Sequence, residues 1–251
     1  MTNLPLEQTA SPDVSNTYHL PPFLEESVKT LVGKGAYGIP EASRFARVNA
    51  RTANRWIIGS GSEHRGRLLP TDLPTRDKRH ALSFLDLIDL LVVGRFRDEG
   101  VSFGTIRKVY SYLRDSLNTP HPFTHRRLFT DGKTIFMETL DEVGDKHLHE
   151  VLTGQSAMPE ILRPYLKQIE YSDTTDTAIR WHIASGVVLD PDRAFGKPIV
   201  AAEGTTTFVL AQAFWANDQN ADLVADLFEV SPEAVRQSVA FEAEYAIRPA
   251  A

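Results

Sequence analysis

Apolar residues along this chain repeat first at helical spacing, then at strand spacing, then at helical spacing again. Phe23, Val28, Leu31 and Val32 predict a short helix that Gly33 and Gly35 end. In the next run Pro40 suits a first helical turn, and Ala42, Phe45 and Ala46 form an inward stripe. Asn49 stands as the N-cap of a further helix with Ala53, Trp56 and Ile57 facing in. Two short helices across a tight turn predict a helix-turn-helix. Residues 59–80, with Gly-Ser-Gly, His64-Arg-Gly-Arg67 and two prolines, suit a loop or wing. Ser83 then opens a helix, with Asp86 at the position where a capping box favours Glu, and Phe84, Leu87, Ile88, Leu91 and Val92 make its apolar face. Gly100 breaks it. Ser102 caps the following helix, in which Ile106, Val109, Tyr110 and Leu113 fall at i, i+3, i+4 and i+7.

In the middle the period shortens to two. Asp131-Gly132 between the β-prone ends of Arg127–Met137 predicts a hairpin. Residues 145–165 read as a short helix and loop. A second strand pair spans Ile169 to Ile183 around Asp173–Asp176, with Ile169 and Tyr171 on one strand and Ile179, Trp181 and Ile183 on the other alternating with polar neighbours. Val187–Pro191 and Gly196–Val200 are short extended pieces. Helices follow near Thr207–Ala216 and Asn220–Phe228, and a third is capped by Ser231 with Pro232 at its first position. The pattern predicts an α+β, mainly α protein. It places a Pro/Ser/Thr-rich flexible tail over 1–22, a winged helix-turn-helix with a helical hairpin over 23–120, a small antiparallel sheet over 121–185 and a trihelical domain over 186–251.

A length of 251 residues allows two modest domains, and 42% hydrophobic with 24% charged residues is an ordinary globular balance. The absence of cysteine excludes disulfides, thiol catalysis and cysteine-ligated zinc. No run reaches the roughly 18 apolar residues of a membrane span, and residues 1–22 lack the makings of a signal peptide. A cytoplasmic protein with no membrane partner is expected. The net charge of −6 hides a division. Residues 34–80 hold ten Lys/Arg against four acids, a balance of +6, while residues 203–244 hold eight acids against Arg236, a balance of −7. The asymmetry predicts different partners for the two ends.

On the basic side, Arg51, Thr52, Asn54 and Arg55 occupy the first turns after the Asn49 cap. Arg pairs with guanine O6/N7 and Asn with adenine N6/N7, so these residue types suit reading of double-stranded DNA in the major groove. Arg44 and Arg47 on the preceding helix, and Arg65 and Arg67 in the loop, are expected near phosphates. Helix-turn-helix readers pair across half-sites, so a homodimer is expected. The acidic end would be repelled by a phosphate backbone and suits protein binding or dimerisation. Enzyme readings are weak: His121 and His125 straddle Pro122, His147 and His149 lack a third ligand, and Gly-x-Ser-x-Gly and P-loop patterns are missing. No catalytic residue, metal or cofactor is expected.

The run Tyr37-Gly-Ile-Pro-Glu-Ala-Ser-Arg-Phe-Ala-Arg-Val-Asn-Ala-Arg-Thr-Ala-Asn-Arg-Trp-Ile57 resembles the opening helix-turn-helix of MerR-like DNA-binding domains, and Leu82–Leu87 and Glu99–Arg107 look like the helices that follow there. Asp190-Pro, Gly196-Lys-Pro-Ile-Val, Gly204-Thr205 and Ser231-Pro-Glu-Ala-Val235 resemble a domain-of-unknown-function family of bacterial trihelical modules found in antitoxins of VapBC-type operons. That family places Arg after Gly-Thr, where this chain has Thr206, and Glu203 adds an acid upstream. Together the resemblances cover most of residues 37–115 and 186–245. They imply an antitoxin and autorepressor that binds operator DNA and neutralises a PIN-domain ribonuclease toxin, with Arg248 entering the toxin's acidic site. The alternative is a stand-alone MerR-like transcriptional regulator whose C-terminal half senses a ligand or dimerises.

Overall fold

In the structure, a computed structural model that describes residues 31, 33–59, 67–75, 80–130 and 158–245, side-chain caps set several of the helix starts. Strand β1 (Tyr37–Gly38) leads into α1 (Ile39–Phe45), with Pro40 in its first turn. Residues 46–49 turn the chain into α2 (Ala50–Ile58). Asn49 Oδ1 accepts from the N–H groups of Arg51 (3.0 Å) and Thr52 (3.4 Å), satisfying donors that a helix start leaves open. Asn49→Ala is therefore expected to cost about 1 kcal/mol in urea unfolding. No loss would mean that packing of Trp56 and Ile57 fixes this helix without the cap.

Strand β2 (Ala81–Leu82) pairs antiparallel with β1, Tyr37 opposite Leu82. It runs into α3 (Phe84–Asp98), which carries a complete capping box: Ser83 Oγ accepts from Asp86 N at 3.1 Å and Asp86 Oδ2 accepts from Ser83 N at 2.8 Å. Aspartate thus does the work expected of glutamate. Helix α3 is buried on nearly every side, through Phe84, Leu87, Ile88, Leu90, Leu91, Val92, Val93 and Phe96, which makes it the spine of the main core. Helix α4 (Phe103–Ser116), capped by Ser102, returns alongside it.

Beyond a 3-10 turn (Pro122–Thr124), residues Arg127–Thr130 form a single helical turn, α5, where the sequence pattern predicts a strand. Tertiary contacts override the β propensity here. Arg126 docks on the neighbouring turn through Asp173 and the Tyr171 carbonyl, and the helical turn carries Leu128 into the core. The rest of that hairpin lies outside the described residues, as does most of the helix expected from Phe23 to Val32.

Helix α6 (Met158–Leu166) precedes a four-stranded antiparallel meander: β3 (Ile169–Tyr171), β4 (Ala178–Ala184), β5 (Val187–Leu189) and β6 (Ile199–Val200). Glu170 pairs with Arg180 but Tyr171 with Ala178, so Ile179 is an extra residue in the ladder. The bulge turns Ile179 out to 40% exposure, against the expected alternation, while Ala178, Trp181 and Ile183 face the core. Residues 185 and 186 are the turn between β4 and β5, whose pairing shifts register between Trp181 and Ala184.

The chain ends in α7 (Thr207–Ala216), α8 (Ala221–Phe228) and α9 (Pro232–Tyr245). These helices share a small core of Leu210, Val224, Ala225, Ala234 and Val235 with Val200 of β6. Helix α9 bridges both cores, because its far end sends Phe241 and Tyr245 into the main one. A second tie joins the beginning of the described chain to the 195–196 turn: Ala36 N donates to Phe195 O (3.0 Å) and Tyr37 Oη to Gly196 O (2.7 Å). Gly196 has φ +78°, and a Cβ there would lie 2.4 Å from Tyr37 Oη, so only glycine fits. Among the described residues no helix is long and apolar enough to cross a membrane.

Candidate nucleic-acid interface

Helix α2 divides cleanly. Ala53, Trp56 and Ile57 are buried, which turns Arg51, Asn54 and Arg55 to solvent on the opposite face, with Thr52 half-buried at the flank. Asn49 is exposed, but its Oδ1 is committed to the cap. Behind α2 the chain returns as residues 67–69, whose Leu68 and Leu69 N–H groups donate to Trp56 O at 2.7 and 3.2 Å. Trp56 stacks edge-on against Phe103 of α4 at 5.2 Å, and Arg107 of α4 donates to the Arg67 carbonyl at 3.0 Å. These contacts join the end of α2, the Arg67 segment and the start of α4 into one surface. Arg107 joins this surface although sequence reasoning missed it. The available signal was its place beside Lys108 on the polar side of the Ile106, Val109, Tyr110 and Leu113 stripe.

Arg44 and Arg47 are placed differently. Arg44 donates to the Tyr245 carbonyl in the last turn of α9, and Arg47 ion-pairs with Glu244 while its guanidinium lies 5.8 Å from the Tyr245 ring centroid. Cations at a helix C-terminus complement its dipole. Lys197 likewise pairs with Glu41 of α1 at 2.7 Å. The basic and acidic ends of the chain thus meet each other, whatever further partners they have. Arg65 and Arg248 lie outside the described residues.

Beneath this surface lies a buried polar node. His121 Nδ1 is 2.9 Å from Asp89 Oδ2 and 3.9 Å from Asp86 Oδ1, and its Nε2 is 3.0 Å from Asp72 Oδ2. Tyr110 Oη donates to Asp89 at 3.1 Å. The contacts tie residue 72 of the returning segment, α3, α4 and the 3-10 turn to one imidazole. Burial by itself would lower the His121 pKa, but hydrogen bonds and charge from Asp72 and Asp89 outweigh it and push the value up to about 10. Three carboxylates then face one imidazolium. Burial raises Asp86 to about 6 and also raises Asp89, whereas the His121 contact lowers half-exposed Asp72. Among the described residues no group of three or more His, Cys, Asp or Glu side chains is arranged to hold a metal ion. His125, on the other side of Pro122, forms a β-bridge with Thr177.

Fold and surface define a class: an α+β chain in which a small basic helical unit is locked against a meander and an acidic helical end. Proteins of this kind are known. No protein-family model matches the chain. It is 26% identical over 221 residues to a protein of Mycobacterium tuberculosis (strain ATCC 25618 / H37Rv) named "Putative antitoxin VapB45", across 81% of this chain and 92% of that protein. The crystal structure of Rv2018 from Mycobacterium tuberculosis is similar with a TM-score of 0.65 and 25% identity, over 81% of this chain and 96% of that one.

Proposed function

We propose that this chain is the antitoxin of a toxin–antitoxin pair and represses its own operon. The observation that carries the reading is the similarity to the VapB45 relative along 92% of that protein's length and 81% of this chain. In this reading α1 and α2 are the helix-turn-helix of a MerR-like winged domain. A homodimer binds operator DNA through Arg51, Thr52, Asn54 and Arg55, with Arg67 and Arg107 near phosphates. The C-terminal half holds a PIN-domain ribonuclease in the cytoplasm and silences it, with Arg248 reaching the toxin's carboxylates. The chain itself catalyses nothing.

The experiment is to express the full chain with the product of the neighbouring gene, isolate the complex and separate it under denaturing conditions. RNA cleavage is expected to appear in the refolded partner and to disappear when this chain is added back. A chain that purifies alone and leaves the ribonuclease active overturns the antitoxin reading. A cavity of about 310 Å³ between α1 and α9, lined by Arg44, Phe45, Lys197, Phe208 and Phe241, favours a second reading in that case. Its size and mixed lining suit a small ligand, as a stand-alone regulator would need.

A further inference from the structure

Helix α8 turns Val224 and Ala225 into the smaller core and leaves Leu223 and Leu227 outside, 42% and 61% exposed. Four residues apart on one helix, the two leucines form a single ridge. Asp222 and Asp226, at the same spacing and also exposed, run beside them as a second row. Neither carboxylate forms an ion pair among the described residues. Neighbouring α7 leaves Trp215 57% exposed and carries no charged residue along its length. A single exposed leucine needs no explanation, but this much apolar surface on two adjacent helices marks an interface.

We propose that the Leu223–Leu227 ridge, bordered by Asp222 and Asp226, is the edge that docks the toxin ribonuclease, entering an apolar groove rimmed by Lys and Arg. The proposal rests on the antitoxin reading. Charge selects the occupant. A second copy packed α8 against α8 would set its carboxylates against their own counterparts, and nucleic acid or an anionic membrane would be repelled by a segment whose balance is −7 over residues 203–244. A ribonuclease must hold a polyanion, so the surface around its cleft is cationic. The acidic row steers that surface from a distance, and the leucines supply the contact once water is expelled.

The test measures binding of the purified full-length chain to the ribonuclease that co-purifies with it, with inhibition of RNA cleavage as a second readout. Leu223→Ala with Leu227→Ala is expected to weaken binding roughly 10- to 1,000-fold, chiefly through faster dissociation. Asp222→Asn with Asp226→Asn is expected to slow association roughly 3- to 10-fold at low salt and hardly at all at high salt. Both variants alter solvent-facing positions and keep the wild-type unfolding temperature. Tight binding that neither variant changes overturns the ridge and leaves the antitoxin reading standing. A wild-type chain that neither binds nor inhibits the ribonuclease overturns both. Sedimentation showing that the leucine pair holds two copies of this chain together, with ribonuclease affinity unchanged, makes the ridge a dimer contact and overturns the proposal.

Discussion

His121→Leu is expected to be the most damaging single substitution at the buried node, costing about 3–5 kcal/mol in denaturant unfolding at neutral pH. The imidazolium faces Asp72, Asp86 and Asp89 together, and removing it leaves the charge of the two buried acids, Asp86 and Asp89, without that partner. A leucine of similar volume fills the space, so a loss of this size reports electrostatics rather than a cavity. The pH profile adds an independent signature. His121 has a folded pKa of about 10 against an ordinary 6.5, so its stabilisation is complete below about pH 6.5 and is lost as pH rises to about 10. Wild-type stability should fall across that alkaline window, and the slope should vanish in His121→Leu.

Asp86 points the other way. Its folded pKa of about 6, raised from 3.8 by burial, means the folded state prefers the neutral acid, so stability is given up as pH climbs from about 4 to 6. Asp86→Asn keeps an oxygen for the Ser83 N–H and removes the surplus charge, and is expected to be as stable as wild type or more so at pH 7. Asp72, lowered by the His121 contact, contributes stability that is lost only as pH drops below the ordinary carboxylate range. Equal destabilisation by the His121 and Asp86 substitutions in urea titrations would mean that packing, not charge balance, holds the node.

That node shows where sequence reading stops. Asp86 and Asp89 are visible in the sequence as two acids interrupting the apolar run Leu85–Val93, and Asp86 is recognisable as a cap residue. Their partner lies 32 positions from Asp89, and only the packing of α4 and the 3-10 turn on α3 brings His121 to them. Signals confined to one turn of chain survive intact: the caps at Asn49, Ser83 and Ser102, and the turn from β3 to β4. Signals that a distant contact can overrule do not. Arg127–Thr130 looks β-prone but coils because Leu128 is needed in the core, and a bulge turns Ile179 outward because one strand carries an extra residue. The charge division is plain in the sequence as well. That Arg44 and Arg47 are held by the end of α9 depends on a contact between residues about 200 positions apart, which no local pattern encodes.

This distinction between engaged and free cations leads to the largest effect expected in DNA binding. Arg51→Ala with Arg55→Ala should weaken binding to the DNA upstream of the chain's own operon by roughly 30- to 10,000-fold, since each arginine lost from a base edge costs about 1–3 kcal/mol. The loss should be greatest on the preferred sequence and small on unrelated DNA, because base contacts carry discrimination and phosphate contacts do not. Arg44→Ala with Arg47→Ala should behave differently. Both side chains already have partners on α9, and the exposed Arg47–Glu244 pair contributes only about 0–1 kcal/mol to the fold, so their removal should lower affinity modestly and alike on every sequence. Titrations on both DNAs at two salt concentrations separate these outcomes. Equal losses from the two double variants would place α1 in the DNA contact and require α9 to release it. Full affinity without Arg51 and Arg55 would remove α2 from the interface, and with it the operator-binding half of the proposed function.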